Sequence, residues 1–72
     1  MENDEMTPAQ RMTYNLSQRG IIAQRNGKKW NLLQTDTATA TRALFNPAVI
    51  DTATWRKIAD GITAKQAMEY LK

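Results

Sequence analysis

Arg25, Lys28 and Lys29 crowd around the dipeptide Asn26-Gly27, and Trp30 follows directly. Three cations closing on a tight turn make a surface for an anion, and the phosphates of nucleic acid are the commonest partner of such a surface. Each lysine or arginine set against a phosphate releases counterions, so affinity would fall steeply with salt. Between Glu5 and Asp36 the chain carries Arg11, Arg19, Arg25, Lys28 and Lys29 and no acidic residue. The net charge of +3 is therefore concentrated in the first half. From Asp36 onward, Arg42, Arg56, Lys57, Lys65 and Lys72 are nearly balanced by Asp36, Asp51, Asp60 and Glu69, as on an ordinary solvated surface. The competing reading of the basic block is a surface that keeps a small protein soluble.

Catalytic chemistry has little to work with. The chain has no histidine and no cysteine, which removes the usual neutral-pH general base, the commonest metal ligand, any thiolate zinc site and any disulfide. The carboxylates Asp36, Asp51, Asp60 and Glu69 all have structural uses. The first two stand where helix caps are wanted, Asp60 precedes Gly61, and Glu69 is spaced to pair with Lys65 or Lys72. A non-enzyme without metal or cofactor is the expectation. Cysteine-free composition points to a reducing cytoplasm, and the acidic start Glu2, Asp4, Glu5 is unlike a signal peptide. No stretch approaches the ~20 apolar residues of a membrane span.

The elements that must hold these cations can be read locally. Seventy-two residues allow one small domain, expected as a flexible acidic N-terminus over 1–6 and an α+β domain over 7–72. Thr7-Pro8-Ala9-Gln10 predicts a helix start with a capping box and proline in the first turn, running to about Arg19 with Gly20 as terminator. Ala9, Met12 and Leu16 form its apolar stripe. Asn26-Gly27 predicts a type I′ hairpin with strands near 21–25 and 28–34. That register sets Arg25 opposite Lys28, Gln24 opposite Lys29, Ala23 opposite Trp30 and Ile21 opposite Leu32. Ile21, Ala23, Trp30 and Leu32 then share the core face, which favours packing over base stacking for Trp30. A hairpin alone is marginal, so it must lie on helices or find a third strand.

The segment 36–45 alternates like a strand, but Asp36 as cap and the face made by Ala40, Ala43 and Leu44 before Asn46-Pro47 predict a helix. Asp51 is expected to cap a third helix over 52–60, with Ile50 and Trp55 as a hydrophobic staple and Gly61 as its end. Thr63-Ala64-Lys65-Gln66 repeats the capping-box pattern and opens a last helix with Ala64, Ala67, Met68 and Leu71 inward. The larger apolar residues, Phe45, Trp55 and Met68 among them, suffice for one core. Asp-Thr-Ala-Thr recurs at 36–39 and 51–54, which reads as repeated capping rather than as a duplicated unit.

Two arrangements can carry binding. The first is the hairpin, with Arg19, Arg25, Lys28 and Lys29 on phosphates. The second is a helix-turn-helix over 52–72, in which Thr63, Lys65, Gln66 and Glu69 approach bases and Arg56 and Lys57 approach phosphates. The expected fold is thus a small α+β domain of helix, hairpin and two or three short helices. The expected function is non-catalytic nucleic-acid binding or transcription regulation through Arg19, Arg25, Lys28 and Lys29, with Lys65 and Gln66 as secondary contacts. The alternative is a phage- or plasmid-type adaptor or inhibitor that docks on a larger acidic protein through the hairpin edge or a face lined by Met6, Met12, Met68 and aromatic residues. A further alternative is a structural assembly protein. The order helix, basic hairpin, helix over about the first 45 residues is similar to that of small phage head-completion proteins, without a diagnostic motif. An exposed hairpin edge also allows pairing into a homodimer.

Overall fold

Thr7 opens α1 (Pro8–Ser17) with the expected reciprocal cap. Its hydroxyl accepts from the Gln10 amide at 3.1 Å, and the Gln10 side chain accepts from the Thr7 amide at 2.9 Å. The computed structural model describes residues 7–72. The expected fraying of 1–6 and any groove role of Met6 fall outside the described residues. The helix stops at Ser17, two residues earlier than predicted, and the chain turns through Gly20 at φ +77° into the sheet. Gly20 is required there for a second reason. A Cβ at this position would stand 2.5 Å from the Thr35 carbonyl oxygen, because the Gly20 carbonyl accepts the Thr35 amide at 2.7 Å.

The strands β1 (Ile21–Asn26) and β2 (Lys29–Gln34) form the hairpin, and β3 (Arg56–Ile62) pairs on the outer side of β2 to give an antiparallel sheet in the order β1-β2-β3. The hairpin register differs from the predicted one. Asn26 pairs with Lys29, Arg25 with Trp30, Gln24 with Asn31 and Ala23 with Leu32. The central turn residues are therefore Gly27 and Lys28. Gly27 has φ +65°, and no non-glycine among the described residues has a positive φ. That is the pattern of a type II′ turn, which needs one left-handed residue at its first central position, whereas type I′ needs two. The pairing slides by two residues, an even number, so every side chain keeps its predicted face.

Both faces of the sheet are covered, where one covered face was expected. On one side Met12 and Leu16 of α1 pack on Ile21, Trp30 and Leu32, together with Ala67 of α3 (Ala64–Met68). On the other, α2 (Thr37–Phe45) lays Ala40 and Ala43 on Ile22 and Leu33, with Ile50 from the 3-10 helix Pro47–Asp51 alongside. The helical reading of 36–45 is correct. Asp36 caps α2 through Oδ1, which accepts the Thr39 amide at 2.6 Å, and Oδ2, which accepts the Thr39 hydroxyl at 2.9 Å. Those bonds, the backbone one foremost, with a smaller contribution from Arg42, hold the Asp36 carboxyl below its ordinary pKa.

The helix predicted over 52–60 is instead the strand β3. Asp51 ends a 3-10 helix rather than capping an α-helix. Trp55 reaches Ile50 through an Nε1 hydrogen bond to its carbonyl at 3.1 Å, not through a staple. Gly61 lies within the strand, where its amide donates to Asn31 Oδ1 at 2.9 Å. The cap, staple and terminator signals that point to a helix here are local. Each residue has another role once β3 pairs with β2, with Gln34 opposite Arg56, Leu33 opposite Lys57, Leu32 opposite Ala59 and Trp30 opposite Ile62, and two register shifts along the way. The expected single core also fails at Phe45, Trp55 and Met68, which are exposed. A last helix does form. Thr63 and Gln66 close their capping box, and a 3-10 turn over Glu69–Leu71 completes it.

Candidate functional site

The turn Gly27-Lys28 carries the basic tip to the end of the sheet where α1 and α3 begin. Arg25, Lys28 and Lys29 are all exposed, but they do not point one way. Arg25 lies on the Trp30 face, where its guanidinium sits 5.1 Å from the indole centroid and its Nε donates to the Gly27 carbonyl at 3.0 Å. A cation over an aromatic face and a hydrogen bond to the turn fix a side chain that would otherwise be free. Lys29 is one residue out of phase with Trp30, so it projects from the opposite face of the ribbon. Trp30 itself is 7 % exposed and belongs to the core, as its predicted face requires.

The remaining predicted contacts divide. Arg19 lies in the turn between α1 and β1, and the four strand steps from Ile21 to Arg25, about 13 Å, separate that turn from the tip. It lines a separate shallow depression with Asn15, Gln18 and Leu71. Lys65 is exposed on the first turn of α3. Its neighbour Ala64 shares a pocket of ≈ 300 Å³ with Arg25, Lys28, Met12, Trp30 and Met68. The start of α3 thus borders the basic tip. Gln66 is committed to its cap, where Oε1 accepts the Thr63 amide at 2.9 Å. The helix-turn-helix is absent, since β3 precedes α3. Arg56 and Lys57 accordingly sit on a strand, and Glu69 pairs with Lys72 at 3.4 Å.

The charge around the tip is one-sided among the described residues. Asp36 caps α2 at the far end of the sheet, Asp60 lies 4.0 Å from Lys57, and neither described ion pair involves Arg25, Lys28 or Lys29. Among the described residues, no acidic one lines the grooves beside Arg25. One of them, of ≈ 610 Å³, lies between α1 and the end of α2 and is lined by Tyr14, Leu44 and Phe45 as well as Arg25 and Trp30. Sequence reasoning counted Phe45 toward the core and offered the aromatic residues as a docking face only collectively, without singling out Tyr14 and Phe45. Only the antiparallel course of α1 and α2 beside β1 brings the two aromatics to one groove.

The outer strand β3 carries Lys57 and Asp60 and two register shifts, features that discourage a further strand from pairing on that edge. No group of three potential metal ligands occurs among the described residues, and no helix there is long and apolar enough to cross a membrane. Comparison with protein-family models, with curated proteins and with solved structures gives no match. The functional reading therefore rests on geometry and charge.

Proposed function

We propose that the protein is a non-catalytic nucleic-acid-binding module that grips phosphates with the tip of its hairpin. The observation that carries this reading is the fixed guanidinium of Arg25 beside exposed Lys28 and Lys29, with no described carboxylate paired to any of them. An arginine held over Trp30 keeps its Nη groups presented for bidentate contact, while the two lysines supply point charges on either side of the ribbon. Lys65, exposed next to Ala64 of the pocket wall, extends the surface. Arg19 precedes β1 at the end remote from the tip, and Gln66 gives its Oε1 to the cap.

The test is fluorescence anisotropy with labelled single-stranded and duplex oligonucleotides across a salt series. Three tip cations set against three phosphates give a slope of log affinity on log salt of about −2 for a single strand. Replacing Arg25, Lys28 and Lys29 together by alanine is expected to flatten that slope and remove most of the affinity. Unchanged affinity in the triple variant would end the proposal and favour docking on a larger acidic protein.

A further inference from the structure

We infer that the groove between α1 and the end of α2 holds an unpaired base, so that the preferred ligand is single-stranded nucleic acid. This inference rests on the hairpin reading above and adds to it the class of strand. Phe45 is 83 % exposed and Tyr14 46 % exposed, a large cost for two aromatic rings unless something covers them. They stand on different elements yet wall one groove, with Leu44 beside them and Arg25 at its hairpin end. Its volume of ≈ 610 Å³ is that of a small-ligand site. An aromatic wall with a cation at one end matches what a nucleotide presents, a flat π-face joined to a phosphate. The cation also argues against an uncharged apolar occupant. Bases in a duplex are stacked and paired, so only an unpaired one can enter.

Arg25 links the groove to the tip. Its Nε is committed to the Gly27 carbonyl and its plane to Trp30, while the Nη groups bond no described residue. A base set against Tyr14 or Phe45 leaves its phosphate toward Arg25, which lines the same groove. Thr13 lines the same groove, although its hydroxyl donates to the Ala9 carbonyl at 2.8 Å and is left only as an acceptor.

The experiment compares Phe45→Ala, Tyr14→Ala and Phe45→Tyr with the unaltered chain on a single-stranded oligonucleotide and on a duplex of the same sequence. Both side chains are exposed, so unchanged melting temperatures will show that the variants fold. Each alanine variant is expected to lose on the order of tenfold in single-strand affinity, with the salt slope and the duplex affinity unchanged, and Phe45→Tyr to retain binding. Unchanged single-strand affinity in both alanine variants, with loss in the Arg25, Lys28, Lys29 triple variant, would overturn the groove assignment and leave the hairpin reading standing. A preference of the unaltered protein for duplex would overturn it as well. Absence of any nucleic-acid binding would remove both, and nuclease-resistant capture of one protein, lost in Phe45→Ala, would assign the groove to a protein segment instead.

Discussion

Arg25 has two separable jobs, and replacing it in two ways pulls them apart. Its guanidinium lies 5.1 Å from the Trp30 centroid, an exposed cation–π contact that contributes about 0.5–1 kcal/mol. Its Nε bond to Gly27 at 3.0 Å is exposed too and belongs near the low end, about 0.5 kcal/mol. Arg25→Ala should therefore cost about 1–1.5 kcal/mol, a fall in melting temperature of roughly 5–10 °C for a domain of this size. It should also remove one phosphate contact and reduce the salt slope on a single strand by about 0.7. Arg25→Lys keeps the charge but loses the planar fork. It should restore the slope while recovering only part of the stability. Lys28→Ala, whose side chain bonds no described residue, should reduce the slope equally and leave the melting temperature unchanged. The assays are thermal unfolding followed by tryptophan fluorescence, and anisotropy at four or more salt concentrations. An Arg25→Ala variant that melts like the unaltered protein would refute the pinned geometry. One that keeps the full salt slope would refute the phosphate role, whatever its stability.

Three further outcomes test the scaffold. Gly20→Ala should destabilise by about 3 kcal/mol, because a left-handed φ and a Cβ 2.5 Å from the Thr35 carbonyl act together. Gly27→Ala, with a similar φ but nothing within 4 Å of the new carbon, should cost only about 1 kcal/mol, so equal losses in denaturant melts would contradict the close approach. The lowered carboxyl of Asp36 contributes stability that is complete above the ordinary aspartate pKa and lost as pH falls through its own lower value. The melting-temperature gap between the unaltered chain and Asp36→Ala should be widest near neutrality and narrow below about pH 4; a gap independent of pH would count against the cap. Asn31→Ala should leave the Gly61 amide at the β3 bulge without its acceptor and cost about 1 kcal/mol, and hydrogen exchange at Gly61 should quicken before that of β1.

What the sequence determined by itself is local. Thr7 with Gln10, Asp36 with Thr39, and Thr63 with Gln66 make their caps inside four residues, so neighbouring residues place three helix starts, whereas the same Asp-Thr-Ala-Thr at 51–54 caps no α-helix. Strand alternation set the face of Trp30 in the same way, since the period of two survives an even slip in register. The tertiary structure decided whatever depended on a distant partner. Residues 56–62 form a strand because they pair with the remote strand β2, although Asp51 before them and Gly61 among them read locally as helix cap and helix end. The packing of α1 with α3 on one face of the sheet and of α2 on the other covered both faces, and the course of α1 and α2 beside β1 brought Tyr14 and Phe45 to one groove with Arg25. Short-range hydrogen bonds are written in neighbouring residues, whereas the neighbours of a surface side chain are set by how remote elements pack.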